Sequence, residues 1–196
     1  MTPKIEILER ETLSKRRFLL EKVTYSFQNE NVSEVHAREC FDRGNGAAIL
    51  LYNPESKKIV LTKQFRLPTF LNGHPSGQMI EVCAGMLDAD QPEACIIREV
   101  EEETGYRIQK VQKIFEAYMS PGAVTEILHF FVGAYHPNQK VSEGGGLIAE
   151  QEHIQVLELD FEFAYQMIFT GEITDAKTIM LLQYLKINGH LLNSVS

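Results

Sequence analysis

AGMLDADQPEACIIREVEEETGY, residues 84–106, decides how the rest of the chain is read. Pro92 suits the first turn of a helix, where its missing N–H would be unpaired in any case. Asp90 or Gln91 then falls near the N-cap, and Glu93 places negative charge where the helix dipole favours it. The predicted helix carries Arg98, Glu99, Glu101, Glu102 and Glu103 and stops at Gly105. Counted from Glu99, Glu102 is i+3 and Glu103 is i+4, so three carboxylates share one face. Ala94, Ile97, Val100 and Thr104 fall on the opposite face and are expected to pack. The default reading of an acidic run is a solvated face. Like charges one turn apart cost stability, however, and a hard divalent cation relieves them by taking carboxylate, water and phosphate oxygens as ligands. Arg98, four residues before Glu102, can pair with it and orient it.

Arg98-Glu99-Val100-Glu101-Glu102-Glu103-Thr104-Gly105-Tyr106 resembles the REUxEExGU core of the Nudix hydrolases, where U is apolar or aromatic. That family's motif opens with a glycine, five residues and a glutamate, then seven residues to the arginine. Here Gly85 is followed by four residues and Asp90, then seven residues to Arg98. The opening loop is therefore one residue shorter and carries an aspartate, while the metal-binding end matches the pattern.

The whole chain has 196 residues, 44% of them apolar and 23% charged, as expected of one globular domain or one with a small extension. A net charge of −8 argues against nucleic acid or an anionic membrane as partner. The pI of about 5.3 points the same way. A bound metal would still let such a protein hold phosphates. Three cysteines, Cys40, Cys83 and Cys95, show neither zinc spacing nor a disulfide framework. Reduced thiols and a cytoplasmic setting are expected. The amino-terminal segment is charged throughout, unlike a signal peptide, and no apolar run has membrane-spanning length. The histidines show no ligand spacing, and Ser120 lacks a nucleophile-elbow context.

Val23, Tyr25 and Phe27 alternate within a predicted strand over 18–27, Gln28 to Asn31 form a turn, and 35–41 return, giving a small antiparallel sheet. A sheet of that size is marginal alone and must pack on the main domain or on a second subunit. Strands are predicted over 47–52, 58–66, 78–84, 111–118, 126–135 and 154–159, with a loop over 67–77. Helices are predicted over 161–170 and 175–187. Ser142-Glu143-Gly144-Gly145-Gly146 reads as a mobile loop on composition. Strands on both sides of a central helix, with helices at the end, predict an α/β fold: an α/β/α sandwich on a mixed sheet. The boundary falls at 42/43, with residues 1–42 as the β-sheet extension and 43–196 as the catalytic domain. The fold of the Nudix family is of this kind.

Further segments resemble the GDP-mannose pyrophosphatase branch of that family, close to the ADP-ribose pyrophosphatases. They are residues 43–46, 63–66, 120–122 with Thr125-Glu126, the glycines 144–146, and 175–178. The resemblance implies Mg²⁺-dependent hydrolysis of the pyrophosphate bond of a nucleoside diphosphate sugar, with Mn²⁺ as the alternative ion. It favours GDP-mannose giving GMP and mannose 1-phosphate. ADP-ribose, giving AMP and ribose 5-phosphate, is the alternative substrate, and a sensing module without catalysis is a third reading. The resemblance also implies a homodimer that exchanges its amino-terminal sheets. Glu99, Glu103, the Ala84 carbonyl and Glu152 would hold metal, and Arg98, Glu102 and Glu152 would form the catalytic group. Glu152 would ligate metal or act as the base, with Glu150 as its alternative, and the glycine-rich loop would close as a lid. Arg38, Glu39, Arg66, Gly85, Met86, Glu126 and Lys177 would contact substrate.

Overall fold

The computed structural model describes residues 2–147, 149 and 151–192. The chain divides into two compact units, Met1–Asn45 with Ala117–Leu128, and Gly46–Glu116 with His129–Ser196.

The first unit holds an antiparallel sheet of β1 (Lys4–Lys15), β2 (Leu19–Gln28) and β3 (Ser33–Asp42). The strand β1 was not anticipated, because its charges hide the alternation that betrays a half-buried strand. All of β1 is in fact exposed, so no inward face existed to be marked by apolar residues. Register slips against β2 at Ile7/Glu9 and Thr12/Ser14, whereas β2 and β3 pair without a break. The segment from residue 117 to 128 joins this unit through Phe41 N–H to Ala123 O (2.7 Å) and Thr125 N–H to Phe41 O (3.1 Å).

The second unit is built on β4 (Gly46–Asn53) and β5 (Lys58–Phe65). The other strands are β6 (Gln78–Glu81), β7 (Cys83–Met86), β8 (Gln112–Tyr118), β9 (Ile127–Ala134) and β10 (Gln155–Asp160). They form a mixed sheet in the order β10-β5-β4-β9-β8, with β6 on β5 and β7 on β4. Every residue of β4 is buried, as its continuous apolar run predicts for a strand covered on both faces. Ala47, Ile49 and Leu51 cluster with Ile96 and Val100 of the glutamate segment. Their alternate neighbours must face the other way, and helix α4 (Ala176–Ile187) also packs on β4. Helices thus flank the sheet, as expected. Helix α3 (Phe161–Thr170) matches its predicted span, capped by Asp160 and ended by Gly171 at φ 81°.

Two details depart from expectation. The predicted loop over 67–77 contains a short helix α1 (Leu67–Leu71). The predicted single strand 78–84 is two strands, one on each neighbour, that part at Val82. The Val82 N–H donates instead to Thr178 Oγ1 of α4 at 2.8 Å. Sequence pattern cannot show this switch, because the N–H leaves the ladder for a side chain 96 residues away.

The glutamate helix α2 (Pro92–Glu99) continues as a wider π-helical turn over Val100–Thr104. Its buried side is Cys95, Ile96, Val100 and Thr104, while Ala94 is exposed and Ile97 half-buried. The packing face is therefore rotated from the Ala94/Ile97 expectation. Fully burying a side chain such as Ile96 contributes about 1.5–3 kcal/mol. The segment ends at Gly105 in the left-handed conformation, φ 77°. A Cβ there would run into the Ser142 carbonyl and the Gly144 N, both backbone. Gly105→Ala is expected to cost about 2–4 kcal/mol, from a strained φ plus overpacking that backbone cannot relieve. Urea unfolding would measure it, and a cost under about 0.5 kcal/mol, within ordinary surface variation, would refute the contact.

Candidate active site

Strand β7 and the helix that follows it bring the acids together. The Ala84 N–H donates to Glu103 Oε2 at 3.3 Å. Glu103 is only 3% exposed, so it lies beneath the strand rather than on a solvated face. The wide turn over Val100–Thr104 accompanies this inward position, and such turns recur at functional sites. Glu99 lies directly over Gly85, where any Cβ would overlap its carboxylate. Glu102 stays nearer solvent and accepts from Arg98 Nη1 at 3.0 Å, the pairing expected from the spacing. Arg98 also lies 3.0 Å from Glu99 and 3.6 Å from Asp90. The shortened opening loop is closed by Asp88 at φ 46°, a conformation aspartate tolerates, with Asp90 N–H on Leu87 O at 2.7 Å.

Burial pushes the Glu103 carboxyl up to about 8, with the charges of Glu99 and Glu152 adding to it and the Cys83 and Ala84 hydrogen bonds opposing. Burial also holds Glu99 up at about 7; Glu102 and Glu152 add to this and Arg98 opposes it. Oxygen donors that repel one another in a poorly solvated place fit a hard divalent cation, whose binding would release their protons. Among the described residues, no three acidic, histidine or cysteine side chains converge as a ready-made ligand set. The donor chemistry therefore fits the ion, while the carboxylates are not drawn to a common point.

Glu152 is half-buried, and its Oε2 accepts from the Leu147 N–H at 3.0 Å. Its alternative, Glu150, lies outside the described residues. The glycine segment before it rests on the helix end: Gly145 N–H donates to Glu103 O (2.9 Å) and Gly146 N–H to Glu102 O (3.1 Å). Its glycines have a contact role that composition alone does not reveal. An open groove of about 630 Å³ runs between this segment and α2, walled by Ile97, Arg98, Glu102, Gly144 and Gly146. Glu99 and Glu103 are not among its walls.

A residue that sequence reasoning missed organises the neighbouring cations. Glu81 of β6, 2% exposed, accepts from Arg66 Nε at 2.8 Å and Nη2 at 2.9 Å. It also accepts from Lys177 Nζ at 2.7 Å. Lys177 reaches Asp175 too, at 3.0 Å, and Asp175 caps α4 through the Thr178 N–H. Burial raises the Glu81 carboxyl, but Arg66 and Lys177 overcome that and hold it down at about 2. Arg66 remains 41% exposed and feels the charge of Glu103. The available signal was the lone charge in Met79-Ile80-Glu81-Val82-Cys83, since a buried carboxylate demands partners.

The second unit thus carries Ala84, Gly85, Met86, Arg98, Glu99, Glu102, Glu103, Glu152, Arg66 and Lys177. The Met86 carbonyl accepts from Cys95 Sγ at 3.2 Å. Arg38, Glu39 and Glu126 lie in the first unit. Arg38 and Glu39 are exposed on β3, and Glu126 sits 3.7 Å from Arg43. No helix among the described residues is long and apolar enough to cross a membrane.

Residues 42–179 match the NUDIX domain. The chain is 54% identical over 192 residues to the GDP-mannose pyrophosphatase of Yersinia enterocolitica serotype O:8 / biotype 1B, covering 97% of this chain and 100% of that protein. It is 50% identical over 194 residues to the GDP-mannose pyrophosphatase of Shigella flexneri serotype 5b, covering 98% and 100%. A solved structure described as an ADP compounds hydrolase superposes with a TM-score of 0.70 at 20% identity, over 95% of this chain and 96% of that one. This last likeness concerns the fold.

Proposed function

The chain belongs to the NUDIX domain family, and on that premise we propose that it hydrolyses the pyrophosphate bond of a nucleoside diphosphate sugar, GDP-mannose, to GMP and mannose 1-phosphate. It is a hydrolase of nucleoside diphosphate derivatives. The substrate assignment is carried by one observation, identity of half or more to GDP-mannose pyrophosphatases over almost the full length of both chains. ADP-ribose is the weaker alternative, since the ADP compounds hydrolase shares the fold at only 20% identity. The reading as a non-catalytic sensor is disfavoured by the retention of Glu99, Glu102 and Glu103.

Nudix hydrolases use divalent ions, and Mg²⁺ is the ion proposed here, with Mn²⁺ in its place as the alternative. Glu99, Glu103, Glu152 and the Ala84 carbonyl would hold it, and when bound it neutralises charge on the diphosphate oxygens. Arg98 lies within ion-pair distance of both Glu99 and Glu102 and so restrains both carboxylates. Arg66 and Lys177, fixed by Glu81, would bind substrate phosphates as a rigid pair of positive charges. Glu152, in electrostatic range of Glu99 and Glu103, would take the proton from the attacking water. The water oxygen bonds to one phosphorus and the bridging oxygen leaves with the other phosphate.

Gly85 and Met86 would line the substrate, and Arg38, Glu39 and Glu126 would reach it in a homodimer with exchanged amino-terminal sheets. The exposed apolar side chains Ile5, Ile7, Leu8 and Leu13 of β1 support a partner for that sheet. Residues 1–42 and 43–196 remain the proposed extension and catalytic domain. A cytoplasmic location is proposed from three free thiols, two of them buried. Light scattering at micromolar protein should return a dimer mass, and a monomer would dismiss the exchange.

A hydrolysis panel of GDP-mannose, GDP-glucose, ADP-ribose, ADP-glucose and UDP-glucose, with Mg²⁺ and with EDTA, tests the substrate. GMP released preferentially from GDP-mannose, and stopped by EDTA, is the expected result. Preference for ADP-ribose would overturn the substrate and keep the chemistry.

A further inference from the structure

The glycines at 144–146 do more than permit a flexible lid. The last turn of the glutamate segment leaves carbonyl oxygens without partners inside the helix. The loop supplies them: Val141 N–H to Gly105 O (2.8 Å), Gly145 N–H to Glu103 O (2.9 Å) and Gly146 N–H to Glu102 O (3.1 Å). Such close approach excludes side chains. A Cβ on Gly144 would strike the Glu103 carbonyl and the backbone of Thr104 and Gly105, none of which can give way. The strap then folds back on itself, with Ile154 N–H on Gly145 O (3.1 Å) and Glu152 N–H on Leu147 O (3.3 Å). The Glu152 side chain is thereby laid against the Gly146 backbone, where its Oε2 takes the Leu147 N–H at 3.0 Å. Three successive N–H groups, of Gly145, Gly146 and Leu147, thus join the carbonyls of Glu103 and Glu102 to the seat of the loop acid.

We propose that Gly146 is a positioning residue: it leaves the space in which the Glu152 carboxylate is seated, and the strap ties that seat to the helix end that carries Glu99 and Glu103. The proposal rests on the reading of Glu152 as the loop acid, and goes beyond it by naming what places that acid. Lid-like closure is not needed for Glu152 to keep its place relative to the helix.

Gly146→Ala puts a methyl group where the Glu152 carboxylate lies. The Glu152 carboxylate and the Ile154 Cδ1 are side-chain ends that can yield, whereas the Glu152 Cβ and the Gly146 φ of 77° add strain of about 1–3 kcal/mol, which urea unfolding of the variant would report separately from its kcat. The variant should lower kcat about 10- to 100-fold, the scale of a misplacement near 1 Å, and leave KM within about twofold. Glu152→Gln should lower kcat about 100-fold or more, the usual contribution of a general base. In the Glu152→Gln background Gly146→Ala should cost nothing further, because the group it displaces is already disabled. The Leu147 amide resonance of the ¹⁵N-labelled protein without metal should move in Glu152→Ala, which removes its acceptor five residues away.

A loss from Gly146→Ala that multiplies with that of Glu152→Gln would mark a general structural role and overturn the proposal. A Glu152→Gln enzyme with full activity would overturn the loop-acid reading and the positioning proposal with it. A disabled Glu152→Gln beside an unaffected Gly146→Ala would overturn the positioning alone. Should Gly146→Ala fail to fold, Glu152→Ala still decides: an unmoved Leu147 amide would mean that the seat does not exist in solution.

Discussion

Glu103→Gln should lower kcat/KM about 1,000-fold, the several kcal/mol that a charge-neutralising cation contributes at a diphosphate. The same change should leave the stability of the metal-free protein unaltered below about pH 4.5 and raise it near pH 7, where the unfolded glutamate has ionised and the folded one has not. With its pKa held at about 8, the Glu103 carboxyl is then largely protonated, and an amide reproduces its shape and neutrality. Mg²⁺ should separate the two proteins. An ion that binds only the folded state stabilises it in proportion to its affinity, so the wild-type Tm should climb with Mg²⁺ and the variant's should climb less. Turnover near the wild-type rate would count decisively against Glu103 as a ligand. The pH dependence has a definite sign. From the usual carboxylate value of 4.5 up to about 8, the folded state keeps a proton that the unfolded state has released. Metal-free protein should therefore lose stability as pH rises through that window, and Glu103→Gln should flatten the slope.

Glu81→Ala should be the most damaging change away from the acids. It strands Lys177, 15% exposed, and deprives Arg66 of both its hydrogen bonds to one carboxylate. Breaking a buried pair by removing one partner costs about 3–5 kcal/mol, and the lower end applies because Lys177 keeps Asp175. A carboxyl at about 2 rather than 4.5 corresponds independently to about 3 kcal/mol of preference for the charged form. Here the sign is opposite to that of Glu103. The contribution is complete above pH 4.5 and is lost as pH falls towards 2, so the wild type should show an acid limb that Glu81→Ala lacks. KM should rise as well, since the two cations are no longer held in place. Urea unfolding of Glu81→Ala within about 0.5 kcal/mol of wild type, the range of ordinary surface changes, would remove Glu81 from its central place.

Much of this protein was legible from residue order. The run of apolar residues in β4, the span of helix α3, the glycine that stops the glutamate segment and the Arg98–Glu102 pairing are local properties. Each depends on neighbours within a few positions. The acid pattern was legible for the same reason, and it led to the correct family. Helical spacing placed Glu99, Glu102 and Glu103 on one face, but only tertiary packing put Glu103 beneath β7 and left Glu102 with Arg98. Packing likewise chose Cys95 and Ile96 over Ala94 and Ile97 as the inner side. The parting of β6 from β7 at Val82 depends on Thr178, the pairing of Arg66 with Lys177 depends on Glu81, and the seat of Glu152 depends on Gly146. These are long-range contacts, and no periodicity records them. Sequence alone determined which elements form and which chemistry they carry. The tertiary structure decided which charges are buried, and hence which pKa values move, because desolvation depends on what the rest of the chain places around a group.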